Sequence, residues 1–363
     1  MKQPIENNSV EISSGFEATA SDDILTKMMH AMKGASPLYT PSVFWERLVA
    51  LHLEDLKDEG FDNFKRSLNM EYFNWGILGI IRHQLTPMLR QWVTEPSLSP
   101  FFAKFEDYRS IDSSKVKSFN RVTAAIYKVY VAMLADVVAA SDKLGLLERI
   151  AEPELGHPFL IDYRGRHISQ DLCNSIHEFY SSTAACDLSK SSFRIAELGA
   201  GYGRLGQVYL SALPNASYCV IDIPPALYVS QRYLTEVFPH QPVFKFREFS
   251  SYEEVRAEFE TSRIRFLAAH QIELLPPDQF ELFVNISSLH EMTREQIANY
   301  LKQIDRLCRG HFYSKQWRVS QAKSNGFTLR EHDYPIPDNW QEIYHHQHPI
   351  QRMFFEALYS TRT

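Results

Sequence analysis

The sequence predicts an α/β protein in which a helical N-terminal part precedes a doubly wound, mostly parallel sheet. Three observations lead to this prediction. A glycine-rich turn follows an apolar strand at 193–204, further apolar strands lie at 218–222 and 280–286, and helical periodicity dominates before residue 150. Strands that alternate with helical segments along the chain are typical of doubly wound folds.

Composition divides the 363 residues into three parts. Residues 1–21 are polar and lack periodicity, which is typical of a flexible tail. Residues 22–150 carry helical patterns and are expected to form an accessory domain. Proline and glycine residues at 152–158 mark a boundary, and residues 151–363 are predicted to form the sheet domain.

The clearest helical pattern lies between positions 118 and 138, where apolar residues recur every three or four positions. We expect these residues to form one buried stripe: Phe119, Val122, Ile126, Val129, Met133 and Val137. No apolar run approaches the length needed to cross a bilayer and no secretory leader is evident. A cytoplasmic protein without a membrane span is therefore expected.

Overall charge and cysteine spacing exclude several classes of function. The net charge is −6 and the isoelectric point is near 6.2, whereas nucleic-acid binders carry a basic surface, so no nucleic-acid partner is expected. The four cysteines are widely separated and form no C-x-x-C pair. The sequence does not determine the oligomeric state, and a homo-oligomer stays open.

The run from Phe193 to Arg204 joins an apolar strand to a carboxylate and three alternate glycines. Gly199, Gly201 and Gly203 allow a sharp turn and the close approach of a ligand to the backbone. The same run satisfies G-x-G-x-x-G, the fingerprint of dinucleotide sites. The carboxylate of Glu197 disfavours a pyrophosphate and favours a cation, which predicts S-adenosyl-L-methionine with its ammonium and sulfonium groups.

Two further strand ends carry polar groups suited to a nucleoside. The strand at 218–222 ends in Asp222, where a carboxylate can accept hydrogen bonds from both hydroxyls of a ribose. The strand that begins at Arg263 leads to His270 and Gln271, which are expected near the adenine because an amide can hydrogen-bond to the edge of a base.

The apolar strand at 280–286 ends in a polar run that contains His290 and Glu291. Thr293 and Gln296 then resemble a capping box at the start of a helix. The side chains of His290 and Glu291 are thus expected just beyond the carboxyl end of a central strand, where doubly wound folds bind ligands. A base at this position would suit hydroxyl chemistry, since a sugar hydroxyl is a poor nucleophile at neutral pH.

Together these motifs resemble those of the class I S-adenosylmethionine-dependent methyltransferases. The resemblance is carried by Glu197–Gly203, Ile221–Pro224 and Phe280–Met292. Within that class, the segment 156–175 is similar to the sugar O-methyltransferase family. The class resemblance covers roughly residues 155–363 and implies a Rossmann-like methyltransferase sheet.

The resemblance also implies roles for individual residues. Through the matching motifs, Tyr202 and Ile223 are expected to contact the cofactor. A histidine at the position of His290 acts as general base in methyltransferases that act on small-molecule hydroxyls, and Glu291 would orient it.

A helical pattern at 171–180 places three polar residues on one face: Asp171, Asn174 and Glu178. A solvated helix face is one interpretation of this spacing. The family resemblance favours the other, in which the three residues face the cleft and bind the substrate.

The histidines His345, His346 and His348 are close in sequence but cannot all face one point on a regular element, so we predict no metal site there and expect an exposed loop.

The predicted function is transfer of a methyl group from S-adenosyl-L-methionine to a hydroxyl of a small-molecule or carbohydrate substrate, namely a sugar or glycan precursor. Three alternatives stay open: methylation of a phenolic or other natural-product hydroxyl, an NAD(P)-binding oxidoreductase, and a protein that binds a cofactor without catalysis.

Overall fold

The architecture comes from a computed structural model of the chain, which describes residues 20–67, 84–106, 119–190, 192–321 and 326–361. The predicted flexible tail at 1–21 lies outside the described residues, apart from its last two positions.

Six α-helices and a small sheet occupy the described residues before position 169. The helices are α1 (Ala20–Lys33), α2 (Val43–Glu59), α3 (Thr86–Thr94), α4 (Ser99–Phe102), α5 (Arg121–Ser141) and α6 (Leu146–Arg149). The antiparallel sheet consists of β1 (Lys104–Glu106), β2 (Leu160–Tyr163) and β3 (Arg166–Ile168). Because β1 pairs with β2, this sheet joins residues on both sides of the boundary predicted at 150, and the domain division stays a prediction.

Helix α5 begins after Asn120, whose Oδ1 accepts hydrogen bonds from the backbone N–H groups of Val122 and Thr123 at 3.0 and 2.9 Å. The buried stripe predicted for this helix is only partly correct, since Phe119, Val129 and Val137 are half-buried against the core. Met133 is buried, but Val122 is 68% exposed, and the buried face runs instead through residues such as Leu134. The helix is apolar around most of its circumference, so residue spacing does not select the buried face.

Helix α5 is also long and apolar enough to cross a bilayer, which corrects the expectation that no segment reaches that length. The core helix of a soluble protein passes the same test of length and composition. Eight of its 21 side chains are buried within the fold. The helix is therefore weak evidence for a membrane span.

The remaining strands are β4 (Phe193–Leu198), β5 (Ala216–Asp222), β6 (Val243–Phe244), β7 (Ile264–Ala268), β8 (Phe280–Ile286), β9 (Cys308–Trp317), β10 (Val319–Ser320), β11 (Leu329–Arg330), β12 (Gln341–Gln347) and β13 (Phe354–Ser360). Eight of them form the central sheet in the order β12-β13-β9-β8-β4-β5-β7-β6. The six strands from β9 to β6 pair in parallel, and the β12–β13 hairpin adds an antiparallel edge.

Helices connect the parallel strands and cover both faces of the sheet. They are α7 (Gln170–Ser182), α8 (Arg204–Ala212), α9 (Ala226–Val237), α10 (Arg256–Thr261) and α11 (Arg294–Leu307). Successive strand residues pack on opposite faces, as in β4, where Ile195 belongs to one buried apolar cluster and Ala196 to the other. Burial on both faces explains why these strands are nearly continuous apolar runs.

The chain runs outward from β4 to β5 and β7, and then returns to β8 on the other side of β4. This reversal is the topological switch point of a doubly wound sheet, beside which such folds bind ligands. The predicted fold class, a Rossmann-like doubly wound α/β sheet, is confirmed.

Candidate active site

A cleft with an empty volume of about 1180 Å³, partly open to solvent, lies at the carboxyl ends of β4, β5 and β8. The turn after β4, the start of α9 and the residues after β8 form three of its walls. A fourth wall comes from residues 39–45, immediately before and at the start of α2. The cleft therefore combines the predicted switch-point crevice with a wall from the N-terminal helical part.

The three predicted glycines form the turn between β4 and α8, and all three have left-handed backbone conformations. A Cβ on Gly199 would lie 2.5 Å from Ser288 Oγ, so the turn touches the end of β8 directly. A Cβ on Gly201 would meet no atom within 4 Å, and this residue faces the cleft. The turn thus needs glycine for packing at one position and leaves room beside the backbone at another.

We expect Gly199→Ala to destabilise the fold more than Gly165→Ala. Both glycines have positive φ, but a Cβ on Gly165 meets nothing within 4 Å. The control should lose about 1 kcal/mol from the strained backbone alone, and Gly199→Ala about 2–4 kcal/mol because the clash with Ser288 adds to the strain. Urea unfolding of both variants measures the difference, and equal losses would contradict the close packing described here.

Glu197 lies at the end of β4, lines the cleft and is 3% exposed. Its Oε2 accepts a hydrogen bond of 2.5 Å from the hydroxyl of Tyr218. Burial raises the pKa of Glu197 to about 8, although the Tyr218 hydrogen bond and the charge of Arg204 oppose the shift. A buried carboxylate of this kind is stabilised in its charged form by a cationic ligand.

Asp222 ends the neighbouring strand β5 and also lines the cleft. Its two carboxylate oxygens accept hydrogen bonds from the backbone N–H groups of Gly201 at 2.9 Å and Ile223 at 2.7 Å. Burial raises its pKa to about 7, and these two hydrogen bonds limit the rise. Ile223 lines the cleft beside it, as does Tyr202, whose hydroxyl donates to Asp171 at 2.8 Å.

The polar pair predicted near the adenine does not line the cleft, whereas Ala269 next to it does. Gln271 is 1% exposed, and its amide is used within the fold. Its Oε1 accepts from the backbone N–H of Ala268 at 2.9 Å, and its Nε2 donates to the carbonyl of Arg247 at 2.8 Å. The structure therefore gives Gln271 a role in holding the turn after β7, and His270 lies outside the cleft wall.

His290 and Glu291 lie together in a short 3₁₀ turn after β8, but Glu291 lines the cleft and His290 does not. The His290 side chain is buried, and its Nδ1 lies 3.0 Å from Oε1 of Gln316. The amide nitrogen of Gln316 donates to Asn285, so its Oε1 accepts and the proton of His290 resides on Nδ1. The unprotonated Nε2 then lies 3.6 Å from Oε1 of Glu291.

Burial shifts the pKa values of this pair in opposite directions. It lowers the pKa of His290 to about 4, although the Gln316 hydrogen bond opposes the shift. It raises the pKa of Glu291 to about 8, although a hydrogen bond from Trp45 opposes that shift. Both groups are consequently neutral over most of the range around pH 7, and the stronger base of the two is the carboxylate that faces the cleft.

The cleft residues before α5, among them Tyr39, Ser42 and Trp45, were not predicted as site residues from the sequence. Ser42 Oγ donates to the carbonyl of Glu291 at 2.9 Å, and Trp45 Nε1 donates to Glu291 Oε2 at 3.0 Å. No local motif marks these residues, because their partners lie about 250 positions away in the sequence.

A small cavity of about 20 Å³, room for one water-sized group, adjoins the cleft. It is lined by all three polar residues predicted on α7: Asp171, Asn174 and Glu178. Arg204 and Ser287 line both spaces. The polar face of α7 is therefore not a solvated face, since Asn174 is 7% and Glu178 1% exposed.

Glu178 is held in this cavity by two buried cations that the sequence prediction missed as partners. Arg204 forms hydrogen bonds to both of its oxygens, and Lys315 Nζ donates to Oε1 at 2.8 Å. Burial favours the neutral acid, but these two cations hold the pKa of Glu178 at about 2. Lys315 also donates to Gln351, which lines the same cavity.

The histidine cluster near the C-terminus does not lie in an exposed loop. His345 and His346 belong to β12, and His348 is fully buried. Ligand-type atoms of His177, His348 and Glu356 lie within 4.8 Å of one another. However, the backbone N–H groups of residues 350 and 351 donate to Nδ1 of His348 at 3.2 and 2.9 Å, so the proton of the neutral ring is on Nε2. Within the described residues this Nε2 is buried without a hydrogen-bond acceptor, and as long as it carries the proton it cannot ligate a metal.

Several solved structures are similar to this chain, all at low TM-score and low identity. The match to the YcgJ protein from Bacillus subtilis has a TM-score of 0.27 and 15% identity, and covers 41% of this chain and 51% of that chain, about half its length. The match to a SAM-dependent methyltransferase from Aquifex aeolicus has a TM-score of 0.32 and 11% identity, and covers 62% and 97% of the two chains.

The match to the pyocyanin biosynthetic protein PhzM has a TM-score of 0.32 and 10% identity, and covers 53% of this chain and 57% of that chain. No family model and no curated protein sequence matches this chain. At such low identity and TM-score the likeness carries no argument for a shared activity.

Proposed function

We propose that the protein transfers a methyl group from S-adenosyl-L-methionine to a hydroxyl of a sugar or glycan precursor. The observation that carries this proposal is the pair of buried carboxylates, Glu197 and Asp222, at adjacent strand ends in one cleft. The glycine turn lies between them, with open space beside Gly201.

The residues present fit the cofactor by charge and by shape. The ammonium of the methionine part would pair with Glu197, whose raised pKa reflects a burial cost that a cation relieves. A pyrophosphate would instead place negative charge beside this carboxylate, which disfavours a dinucleotide. The backbone N–H groups that already donate to Asp222 fix its carboxylate, which can accept further hydrogen bonds from the ribose hydroxyls.

The cofactor supplies an electrophilic methyl group on its sulfonium. The residues of the chain must hold the oxygen of the acceptor hydroxyl in line with that methyl group, and one of them must receive the hydroxyl proton. Glu291 is the residue that lines the cleft for this task, and His290 lies behind it at 3.6 Å. We therefore assign proton acceptance to Glu291 with His290 as its neighbour, which reverses the order inferred from the sequence.

The polar lining of the second cavity supports an acceptor that carries hydroxyls, since its interior of about 20 Å³ admits one hydroxyl of a ligand bound in the cleft. Its charged lining consists of two carboxylates, Asp171 and Glu178, and two cations, Arg204 and Lys315. These charges balance, and Asn174 adds an amide donor and acceptor. Closely spaced donors and acceptors without a net charge suit the hydroxyls of an uncharged sugar.

We expect S-adenosylhomocysteine to bind and its affinity to rise with pH. Its ammonium pairs with the charged form of Glu197, so binding releases the proton that this group holds below about pH 8. Affinity should increase by up to about tenfold per pH unit between pH 6 and 8 and level off above. Calorimetry at several pH values measures this slope, and Glu197→Gln should bind more weakly at pH 8 with a much flatter profile.

NADH is the competing ligand in the same experiment. Binding of NADH without binding of S-adenosylhomocysteine would overturn the methyltransferase proposal. Transfer of labelled methyl groups from S-adenosyl-L-methionine to a panel of monosaccharides, nucleotide-activated sugars and phenols then tests the acceptor. Label in phenols alone would overturn the sugar assignment, and cofactor binding without label in any acceptor would indicate a non-catalytic protein.

A further inference from the structure

The segment before α2 is attached to the loops that follow β7 and β8 at three points. Tyr39 donates from its hydroxyl to Glu273 at 2.7 Å. Gln296 Nε2 donates to the carbonyls of Pro37 and Thr40 at 3.1 and 2.9 Å. Ser42 donates to the carbonyl of Glu291. These bonds fix the segment against the sheet ends, so its side chains form a built wall of the cleft.

Trp45 is the residue of this wall that reaches the proposed proton acceptor. Its indole N–H donates to one carboxylate oxygen of Glu291 at 3.0 Å, while the other oxygen faces Nε2 of His290 at 3.6 Å. The hydrogen bond to one oxygen and the imidazole ring beside the other leave the carboxylate of Glu291 few orientations. Two of the groups that face it are thus contributed by α2 and by the turn after β8, and burial together with the charge of this carboxylate raises the pKa of Tyr334.

We propose that Trp45 is a positioning residue for methyl transfer, which holds the Glu291 carboxylate toward the acceptor so that the N-terminal helical part completes the active site. This inference rests on the proposed function. The inference also extends that function, because it assigns part of the reaction geometry to a region whose sequence carries no cofactor motif.

The indole N–H also stabilises the charged form of the carboxylate, since a hydrogen bond to a carboxylate lowers its pKa. Trp45→Phe keeps an aromatic ring but removes this donor. The variant should therefore show two changes together: a lower kcat, because the carboxylate is less well oriented, and a shift of its titration to higher pH.

The chain offers a matched control for this substitution. Trp340 also donates its indole N–H to a carboxylate, Oδ1 of Asp305, at 2.8 Å, and it does not line the cleft. Trp340→Phe thus removes the same kind of hydrogen bond far from the proposed chemistry. Any general effect of losing an indole donor to a carboxylate will appear in both variants.

The experiment follows the carboxyl ¹³C resonance of Glu291, identified by its absence in Glu291→Gln, together with kcat, KM and affinity for S-adenosylhomocysteine. Trp45→Phe should raise the titration midpoint of Glu291 by about one pH unit, lower kcat about tenfold and leave cofactor affinity within about twofold. Trp340→Phe should change none of these values.

An unchanged midpoint and an unchanged kcat in Trp45→Phe would each overturn the positioning role. A shifted midpoint in a protein whose wild type binds S-adenosylhomocysteine but methylates no hydroxyl would overturn the proposed function and, with it, the catalytic meaning of the contact. The two failures are therefore distinguishable, because the titration does not depend on turnover.

Discussion

Glu291→Gln should lower methyl transfer about a hundredfold or more, because the substitution removes the proposed proton acceptor. The amide keeps the size of the side chain, and its oxygen can still accept the hydrogen bond from Trp45. It cannot take up a proton at neutral pH. Affinity for S-adenosylhomocysteine should stay within about twofold of the wild type, since Glu197 and Asp222 are untouched. Turnover with the acceptor that the panel identifies measures the loss.

The pH profile of the wild type distinguishes Glu291 from His290 as the base. Burial raises the pKa of Glu291 to about 8, so the charged fraction of this carboxylate increases with pH. At saturating cofactor, where the protonation of Glu197 no longer limits binding, kcat should rise by up to about tenfold per pH unit below pH 8 and reach a plateau above it. Burial lowers the pKa of His290 to about 4, so a reaction that used this histidine would show a flat profile from about pH 5.5 to 8.

Wild-type turnover in Glu291→Gln would show that His290 rather than Glu291 is the base. A flat pH profile together with a large loss of turnover in His290→Gln would lead to the same conclusion. Loss of cofactor binding in Glu291→Gln would mean that the substitution disturbs the cleft as a whole. His290→Gln is the informative companion variant, because its effect should be smaller than that of Glu291→Gln if the histidine acts only behind the carboxylate.

The cofactor half of the cleft was predictable from sequence because its signals are local. The glycines of the turn, the acid before them and the acid one unit later all lie at strand ends that apolar runs reveal. In a doubly wound sheet, parallel strand ends meet at one edge. The prediction of Glu197 and Asp222 in one cleft thus needs the strand order and nothing more.

The acceptor half was less predictable because orientation and long-range contacts decide it. His290 and Glu291 are neighbours, and the 3₁₀ turn that follows β8 determines which of them faces the cleft. Trp45 contacts Glu291 across nearly 250 positions, and no spacing in the sequence indicates that pair. The sequence also left open whether the polar face of α7 is solvated or faces the cleft. The buried partner of Glu178 is Lys315 on β9, and in the sequence this lysine looks like an ordinary polar residue within a strand.

Glu178→Gln should have the largest effect on stability, with a loss of about 3–5 kcal/mol in the free energy of unfolding at pH 7. The carboxylate is 1% exposed and neutralises the buried cations of Arg204 and Lys315. The amide has similar size but removes the carboxylate that both cations share, so that the weaker effects of Asp171 on Arg204 and of Glu356 on Lys315 remain. Urea unfolding measures the loss, and Glu236→Gln is the control: it breaks the exposed pair with Arg232 and should cost no more than about 0.5 kcal/mol.

The pH dependence of this loss identifies its cause. Burial lowers the pKa of Lys315 while Glu178 raises it, so removal of the carboxylate should lower that pKa further. The unfolded chain then binds more protons than the folded one, and stability of the variant rises with pH. The deficit relative to wild type should therefore narrow as the pH rises above neutral toward the ordinary lysine pKa of 10.5, because the buried ammonium of the variant loses its proton first. A deficit that is constant over this range would instead assign the loss to packing of the amide, and the electrostatic account of the cavity would be wrong.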